Sequence, residues 1–330
     1  MKTAKVIGCG LSGVVAAILL KEKGYNVSIY EQRSHIGGNC YDSNFCGLMV
    51  HNYGPHIFHG DDDEVFNFLS RYTEWTPFLL HARGNTKLGI ISLPYSKTTI
   101  EELGRELNDQ EIIDVIFKDY SEKQWGVPFE DIPRTITNRM PKTKNDYNPT
   151  WFGSQKYQCI PKLGYTNMFN NMLKGIDVKL SCHPNEWKNH ITDLTVFTGK
   201  IDEFYDYQFG KLEYRSLEFR HFVSDKKMDY FLENQNTKKV AYTRKYDHSH
   251  FTPDYKQNTT VITEEYPVAH NGDNIPYYPM PFGESDSIYK KYSNLAAEEK
   301  NTIFIGRLAT YKYLDMSMAV KQAILKLRKI

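Results

Sequence analysis

The sequence predicts an α/β fold with a parallel sheet, to which a mainly helical insertion and an antiparallel β-sheet domain are added. Apolar runs at 5–7 and 27–30 flank a helical stretch, which is the order of a parallel βαβ unit. Residues 100–120 carry apolar side chains at helical spacing. Beyond residue 151, several short segments are rich in β-forming residues, as strands of antiparallel sheets are.

The first strand ends in a glycine-rich turn. Residues 5–13 read Lys-Val-Ile-Gly-Cys-Gly-Leu-Ser-Gly and match G-x-G-x-x-G between a strand and a helix. Gly8 and Gly10 allow a tight turn and close approach to a diphosphate, and Gly13 lets helix and strand pack closely. The first amides of the helix, around Ser12, then face the anion. Because the motif alone also fits a glycine-rich turn in another α/β protein, its context decides.

The context is that of a Rossmann-like FAD-binding domain. A second buried strand at 27–30 is followed by Glu31, where a dinucleotide fold places the acid that binds ribose hydroxyls. Residues 31–38 then read E-x-R-x-x-x-G-G, which resembles the second fingerprint of two-dinucleotide-binding-domain flavoproteins. Simple NAD enzymes lack that extension. The predicted cofactor contacts of this segment are Glu31, Gln32, Arg33, Gly38 and Asn39.

Length, charge and cysteine content narrow the class of protein. The 330 residues suffice for two or three domains. Lys+Arg 41 against Asp+Glu 40 gives a net charge of +1, so nothing indicates a nucleic-acid binder, and any anion recognition must be local. The five cysteines are scattered and lack metal-site spacing, which favours a reducing compartment.

We expect a cytoplasmic protein without a membrane segment. No apolar run approaches the roughly 18 residues that span a bilayer. The first predicted strand begins at the N-terminus and leaves no room for a signal peptide.

Residues 51–59 contain His51, His56 and His59 around a Gly-Pro turn. No acidic or cysteine ligand is spaced to complete a metal site, so we expect no metal. We expect the turn to bring backbone and imidazoles beside the flavin, with His56 and Ile57 as cofactor contacts.

A polar segment flanked by Tyr120 and Trp125 follows the helical region and stops at Gly126. Polar residues so placed do not suit a core. From there to residue 148 the chain is rich in proline and charge, which indicates a functional loop. We therefore expect a mobile substrate loop at about 121–140, which includes Arg139.

Two later strands, at 194–199 and 302–306, end in glycine, which suits close approach to a cofactor. An amphipathic helix then runs to residue 327, and the positive end of its dipole is expected beside the flavin. These segments are expected to return to the FAD domain. The predicted domains are FAD-binding (1–62, 183–205 and 285–330), mainly helical (63–150) and antiparallel sheet (151–182 and 206–284).

Several sequence blocks resemble the UDP-galactopyranose mutase family over nearly the whole chain. The Tyr-Ser-Glu-Lys-Gln-Trp-Gly block and the final block are the most specific. Monoamine oxidases and carotene desaturases share the N-terminal fingerprint but not these blocks. The blocks are Gly-Pro-His-Ile-Phe-His at 54–59, Tyr-Ser-Glu-Lys-Gln-Trp-Gly at 120–126, Tyr-Gln-Cys-Ile-Pro-Lys at 157–162, Gly-Tyr-Thr at 164–166, Tyr-Thr-Arg at 242–244, Pro-Tyr-Tyr-Pro at 276–279 and Gly-Arg-Leu-Ala-Thr-Tyr-Lys-Tyr-Leu-Asp-Met at 306–316.

The resemblance implies a non-redox isomerisation of UDP-galactopyranose to UDP-galactofuranose, with reduced FAD as the covalent nucleophile at the anomeric carbon. The protein itself would mainly bind, orient and stabilise charge. The implied partner is a UDP-sugar, with no nucleic acid and no membrane. The resemblance also implies a homodimer that makes galactofuranose for cell-surface polysaccharide.

The resemblance assigns roles by position. Arg139 and Arg244 match the family's diphosphate-binding arginine pair, and two guanidinium forks suit a diphosphate leaving group. Trp125 and Arg139 match residues of its mobile loop. The implied catalytic residues are Arg139, Arg244 and His59. The implied substrate contacts are Phe117, Tyr120, Trp125, Arg139, Trp151, Arg244, Tyr278, Tyr313 and Asn85. The implied flavin contacts near the C-terminus are Arg307, Asp315 and Met316.

Three positions depart from the family pattern. Trp151 stands where a tyrosine is usual, Thr143 where a second arginine follows the loop proline, and Glu264 where an arginine often precedes Glu-Tyr. FAD binding is untouched by these changes, but they leave the identity of the sugar open.

Three alternatives remain at this point. A UDP-N-acetylgalactosamine mutase would carry nearly the same residues, because one pocket contact can decide such selectivity. An FAD-dependent amine- or alkene-oxidising enzyme would use the same FAD domain but would leave Trp125, Arg139 and Arg244 without a purpose. A non-catalytic nucleotide-sugar-binding relative is the third.

Overall fold

A computed structural model describes residues 1–137 and 145–330. In chain order the strands are β1 (Thr3–Ile7), β2 (Asn26–Tyr30), β3 (Asp42–Phe45), β4 (Leu48–His51), β5 (Phe58–Gly60), β6 (Trp75–Pro77), β7 (Ala82–Thr86), β8 (Gly89–Leu93), β9 (Tyr157–Pro161), β10 (Asp177–Lys179), β11 (Leu194–Phe197), β12 (Tyr214–Ser224), β13 (Leu232–Gln235), β14 (Arg244–Asp247), β15 (Thr260–Ala269), β16 (Pro276–Pro279) and β17 (Thr302–Phe304). The helices are α1 (Leu11–Glu22), α2 (Asp63–Ser70), α3 (Lys97–Leu103), α4 (Asp109–Ile112), α5 (Lys118–Trp125), α6 (Arg134–Thr137), α7 (Tyr165–Met172), α8 (Pro184–Lys188), α9 (Ile201–Phe204), α10 (Glu284–Glu298), α11 (Gly306–Ala309) and α12 (Met316–Leu327).

A five-stranded parallel sheet of order β10-β2-β1-β11-β17 forms the first layer. Helix α1 is apolar along most of its length, and its side chains Val14 and Val15 are fully buried. Helix α12 packs beside it and contributes Val320 and Leu327 to the same core. Apolar strands of this kind need cover on both faces, which is why a helical layer returns from the C-terminus. The predicted parallel Rossmann-like sheet is confirmed.

A second sheet has the order β16-β12-β15-β14-β13-β7-β8. Its pairs are antiparallel except for β13 with β7, which run parallel. The predicted antiparallel domain is therefore confirmed in outline. Strands β7 and β8, however, fall within 63–150, which was expected to be mainly helical. Strand β7 pairs with its neighbour β8 on one side and with β13 on the other. The second pairing joins residues far apart along the chain, which local sequence cannot predict.

The expected domain boundary at 151–182 also needs correction. Strand β9 joins β5 and β6 in a separate three-stranded sheet, and β10 pairs with β2 at the edge of the parallel sheet. Helix α7 buries Met168 and Phe169 in the core that surrounds α1. Most of this segment therefore completes the cofactor domain. The remaining domain boundaries stay predictions.

The segment expected to begin a loop at residue 121 is helical at its start. A helical run passes from α4 through a π-helical turn at Ile113–Phe117 into α5. Gly126 ends it in the left-handed conformation, with φ 72°. Ser121, Gln124 and Trp125 are buried, so the polar side chains of this segment do pack. Residues 138–144 of the expected loop lie outside the described residues.

Within the described ranges, no helix combines the length and the apolar character that crossing a bilayer requires.

Two buried histidines link three elements of the fold. The backbone N–H of His51, in β4, donates to His248 Nδ1 at 3.2 Å. His248 Nε2 pairs with the Thr263 hydroxyl of β15 at 2.7 Å. His248 is fully buried, and this burial lowers its pKa to about 3; burial likewise lowers the pKa of His51 well below its usual value. Both imidazoles are therefore neutral in the folded protein.

Because these two histidines are buried and neutral, we predict that acid destabilises the folded protein. Between pH about 6.5 and about 3 the unfolded chain binds protons that the folded chain does not, so the free energy of unfolding falls as pH drops through this window. One such histidine lowers the free energy of unfolding by about 2 kcal/mol at pH 5. Urea unfolding at pH 7 and pH 5 measures the loss. His248→Asn, which retains an acceptor for the His51 amide, should lose less stability than the wild type; an equal loss would contradict the assignment.

Candidate functional site

A cavity of about 920 Å³ opens where strands β1, β2 and β11 end. Gly8, Glu31 and Thr198, each just beyond one of these strands, line it, and Gly306 closes it from the C-terminal region. Dinucleotides bind at this edge of open α/β sheets, outside the carboxyl ends of the strands. The position and size of the cavity suit an extended dinucleotide rather than a single small metabolite.

The two glycine fingerprints meet at the floor of this cavity. A Cβ on Gly13 would lie 2.0 Å from the Gly8 carbonyl oxygen, and one on Gly38 would lie 2.9 Å from Gly10 Cα. Gly38 also has φ +56°, which disfavours a side chain. The backbone at Gly10 and Gly38 is therefore bare toward the cavity, next to the N-terminus of α1. A diphosphate can approach the helix amides there without a steric barrier.

Polar side chains around this floor also fit an anionic dinucleotide. The buried Glu31 carboxylate accepts the Cys9 amide at 2.7 Å and the Arg33 amide at 2.8 Å, so it ties the two fingerprints together. Arg33 donates Nη2 to Asn39 at 2.8 Å and lies over the Tyr53 ring. Its Nη1 is buried without a protein partner. An unpaired guanidinium N–H beside a cavity is a suitable donor for a bound anion.

Most predicted cofactor contacts line the cavity. They are Gly8, Gly10, Ser12, Gly13, Glu31, Gln32, Arg33, Gly38, Asn39, His56, Arg307, Asp315 and Met316. Ile57 does not line it and packs instead in the core beneath the helical region. Sequence reasoning missed Thr198, Trp187 and Asn274, which also line the cavity. The Thr-Gly after β11 offered a signal for the first; nothing local marks the other two.

His56 lines the cofactor cavity together with Arg307 and lies within electrostatic range of Arg244 on β14. Its Nδ1 donates to the Gly54 carbonyl at 2.8 Å, which leaves Nε2 as an acceptor. Burial, with the positive charges of Arg307 and Arg244 nearby, lowers its pKa to about 4 despite the bond to Gly54. His56 is therefore a neutral acceptor at physiological pH.

Arg244, at the start of β14, is held by one buried carboxylate. Its Nη2 donates to Glu265 on β15 at 2.8 Å, while its Nε is buried without a partner. Burial disfavours the charged form, but Glu265 outweighs this effect and the pKa of Arg244 lies above its usual value. Tyr120 and Tyr278 lie within electrostatic range of the guanidinium. The arrangement presents a fixed cation with donor capacity left over.

Arg307 joins this cluster to the cofactor cavity. Its guanidinium donates to the Leu314 carbonyl at 2.6 Å and the Tyr277 carbonyl at 3.0 Å. It also lies over the rings of Tyr278 and Tyr313, which stack with centroids 5.4 Å apart. Three kinds of contact thus set one orientation for this side chain.

Trp125 extends the aromatic wall formed by Tyr278 and Tyr313. It is 7% exposed and contacts Tyr278 and Phe282, with ring centroids 6.1 and 6.3 Å away. Asp315 caps α12 by accepting the Met318 amide at 2.7 Å and lines the cavity beside Met316. The structure therefore brings together five of the residues that the resemblance implies, which are Trp125, Arg244, Tyr278, Tyr313 and Arg307.

His59 does not lie with the arginines and tyrosines beside the cofactor cavity. It lies on β5 with its ring stacked on Phe152, 3.8 Å between centroids, and its Nδ1 paired with Gln155 at 2.8 Å. It is not among the described residues that line the cavity. Since side chains alternate along a strand, proximity to His56 in sequence does not place His59 on the same side.

The other implied substrate residues, and the positions that depart from the family pattern, do not line the cofactor cavity or lie outside the described residues. Phe117 and Trp151 pack against the core of the helical region. The Asn85 carbonyl, on β7, accepts the Asn236 amide at 2.9 Å. Glu264 accepts from the Tyr266 hydroxyl at 2.6 Å. Arg139 and Thr143 fall in the undescribed segment.

Arg215 is a site-supporting residue that sequence reasoning missed. From β12 it donates Nε to the Gln124 carbonyl at 2.9 Å and Nη2 to the Lys123 carbonyl at 3.2 Å, and so caps the end of α5. A Cβ on Gly126 would lie 2.8 Å from its Nη1. The glycine after Trp125 is therefore required both by its backbone angle and by the space that Arg215 fills.

The described residues contain no group of three or more His, Cys, Asp or Glu side chains arranged for a metal ion. What they contain is a bare dinucleotide cradle beside a cluster of fixed arginines and tyrosines. This combination defines a flavoprotein with a Rossmann-like cofactor domain and an adjoining site for an anionic ligand.

Comparison with known proteins identifies the family. The UDP-galactopyranose mutase family matches residues 115–313, and an NAD(P)-binding Rossmann-like domain matches residues 6–72. The dTDP-fucopyranose mutase of Escherichia coli is 35% identical over 98% of this chain and 97% of its own length. A probable UDP-galactopyranose mutase of Klebsiella pneumoniae is 34% identical, over 98% and 93%. The UDP-galactopyranose mutase of Mycoplasma genitalium is 33% identical, over 98% and 94%. The chain belongs to the UDP-galactopyranose mutase family.

Solved structures agree at the level of the fold. A reduced UDP-galactopyranose mutase superposes with a TM-score of 0.77 at 13% identity, covering 99% of this chain and 95% of the other. A redesigned putrescine oxidase superposes with a TM-score of 0.63 at 12% identity, covering 99% and 98%. The fold is thus shared with an oxidase, and it is the sequence relationship that makes this chain an isomerase.

The meeting of the two fingerprints generates a test. Gly38→Ala should weaken flavin retention about 10-fold, because the new Cβ strains a left-handed residue and pushes Gly10 away, an effect of roughly 1–3 kcal/mol. The absorbance ratio of flavin to protein after gel filtration measures retention. Gly24→Ala is the matched control, with φ +83° and nothing within 4 Å of the added Cβ. Equal flavin content in both variants would show that the cradle does not hold the cofactor.

Proposed function

We propose that this protein converts UDP-galactopyranose to UDP-galactofuranose without net oxidation or reduction, with FAD in the cavity of the parallel sheet. The observation that carries the proposal is the position of Arg244 and its tyrosines, which His56 and Arg307 connect directly to that cavity. A nucleotide diphosphate on Arg244 then places its sugar toward the cofactor. Reduced FAD, when bound, supplies the nucleophile for the anomeric carbon.

The thiols in the cavity are unsuited to that nucleophilic role. Cys40 and Cys182 both line the cavity, and burial raises the pKa of each thiol, to about 12 for Cys40, so both stay protonated. The Sγ–H of Cys40 points at the Met316 sulfur, 3.8 Å away. The protein's own contribution is therefore binding, orientation and charge stabilisation.

Arg244 is proposed to bind the diphosphate as one half of a pair with Arg139. The buried Glu265 holds the Arg244 guanidinium in place and leaves its Nε free to donate. A cation held in a partly buried site stabilises the charge that develops as the diphosphate leaves. Tyr120 and Phe117 are proposed to hold the base, Tyr278 and Tyr313 the phosphates, and Trp125 to contact the substrate beside Tyr278.

His56 and Arg307 are proposed to orient the sugar against the cofactor. His56 presents a neutral Nε2 that can accept a hydrogen bond from a hydroxyl. The fixed charge of Arg307 favours the electron-rich form of a group bound beside it. His59 is proposed to act through Phe152 and Gln155, which it contacts, rather than at the cofactor.

A second candidate substrate is dTDP-fucopyranose. The Escherichia coli mutase that carries this name is as similar to the chain as the relatives named for UDP-galactopyranose. The two substrates differ in the base methyl group, the 2′-hydroxyl of the nucleoside and the 6-hydroxyl of the sugar. Trp151 and Glu264, the described departures from the family pattern, are the residues to test for this choice.

We also infer a homodimer in the cytoplasm that supplies galactofuranose for cell-surface polysaccharide. This inference is supported by the family resemblance. Light scattering after gel filtration measures the oligomeric state.

The decisive experiment incubates dithionite-reduced protein with UDP-galactofuranose or dTDP-fucofuranose and separates the nucleotide sugars by chromatography. We expect conversion of the UDP-sugar to its pyranose form without consumption of reductant, and little conversion by oxidised protein. Preference for the dTDP-sugar would favour the second candidate. A reduced sugar product, or full activity of the oxidised protein, would refute the mechanism.

Arg244→Ala and Arg139→Ala should each lower turnover by about 10²–10³-fold, since losing one fixed donor to a developing anion costs about 3–4 kcal/mol. Flavin content should stay normal, because Arg244 does not line the cofactor cavity and Arg139 is proposed to bind the diphosphate. Arg220→Ala is the control, an exposed arginine of the same sheet that stacks on Tyr266. Near-wild-type turnover in both test variants would sink the assignment of the diphosphate site.

A further inference from the structure

The Lys123 ammonium donates three hydrogen bonds, all to backbone carbonyls. Its Nζ donates to the carbonyl oxygens of Gln235 at 2.9 Å, Tyr242 at 2.9 Å and Val240 at 3.3 Å. These carbonyls belong to the end of β13 and to the connection 236–243 that leads into β14. An ammonium group bound by three converging carbonyls acts as an internal cation that holds the connection in one shape.

The lysine bridges two parts of the proposed substrate site. On its own helix it lies three residues after Tyr120 and two before Trp125. On the other side, the Tyr242 carbonyl lies two residues before Arg244. The connection is pinned further by the Thr243 amide, which donates to the Glu265 carbonyl at 2.8 Å. The one side chain thus ties the helix that carries the aromatic residues to the strand that carries the arginine.

The other contacts described for α5 hold its end or reach the connection 236–243 at Lys238, six residues before Arg244. Arg215 binds the carbonyls of Lys123 and Gln124 from β12. Glu122 pairs with the exposed Lys238 and accepts the Phe129 amide at 3.1 Å. Lys123 alone among these contacts reaches the carbonyls directly before Arg244.

We infer that Lys123 is a positioning residue for nucleotide binding: it sets the separation between helix α5, with Tyr120 and Trp125, and strand β14, with Arg244. The inference rests on the proposed function in that these three side chains hold the nucleotide diphosphate. Burying an ammonium has a cost, and burial lowers the pKa of Lys123 to about 8. A defined set of acceptors is what offsets that cost here.

The test compares Lys123→Met, which keeps the length but removes every donor, with Lys123→Arg, which keeps charge and donors. Lys118→Met is the matched control, because Lys118 lies on the same helix, is 40% exposed and pairs with the exposed Glu130. Calorimetry gives the Kd for UDP, and steady-state kinetics give KM and kcat. Flavin content and the thermal midpoint are measured on each variant.

We expect Lys123→Met to raise the Kd for UDP and the KM at least 10-fold while flavin content stays normal. Lys123→Arg should bind UDP within about threefold of wild type, and Lys118→Met should match wild type. A purely structural lysine would lower the thermal midpoint without moving the Kd measured far below it, and that result would overturn the inference.

The experiment also distinguishes failure of the proposed function from failure of the positioning role. If the wild-type protein neither binds UDP nor isomerises a UDP-sugar, the proposed function itself fails, whatever the variants do. If Lys123→Met does not fold, Lys123→Gln, which keeps an amide donor, takes its place under the same criteria. Loss of folding in both variants, together with wild-type affinity in Lys123→Arg, would make Lys123 a structural residue and refute the positioning role.

Discussion

The contact on which the rest of the structure depends is the close approach of two glycine turns across a buried carboxylate. Glu31 accepts amides from both fingerprints, Cys9 on one side and Arg33 on the other. Because Gly10 and Gly38 lack side chains, their backbones come together and leave a bare surface at the N-terminus of α1. Every other part of the cofactor cavity is arranged around that surface, including the segments that return from the second half of the chain.

The second constraint is electrostatic. Two arginines, Arg244 and Arg307, are held within range of one histidine. A protonated His56 between them would place three positive charges in a poorly hydrated space, whereas the neutral ring adds an acceptor without adding charge. The carboxylate of Glu265 pairs with Arg244 but leaves its Nε free to donate, so the site as folded favours an anion. A nucleotide diphosphate supplies the negative charge that balances these arginines.

What the sequence predicted well was local. The strand, turn, helix and acid of residues 3–31 form one short unit whose motif has a physical reason at each position, and the structure reproduces it. Pairing over long distances was not predictable in this way: β10 reads as a strand but nothing in Val178 says that it will join Ile29. The helical state of residues 121–125 was missed because its polar residues are buried against carbonyls and Arg215, contacts that only the folded chain provides. His59 was misplaced for a similar reason, since sequence proximity to His56 carries no information about which way a strand side chain points.

The parallel sheet has a consequence for biosynthesis. Its strands begin at Thr3 and finish at Phe304, and α12, which covers α1, ends at Leu327. A ribosome must therefore synthesise residues 1–304 before the first domain has all its strands, and α1 has an apolar surface uncovered during that time. The cofactor cannot be fully enclosed earlier, because Arg307, Asp315 and Met316 follow the last of these strands. Nascent chains of this protein should need protection from aggregation until α12 has emerged, and truncation before α12 should be as damaging as a change in the first glycine turn.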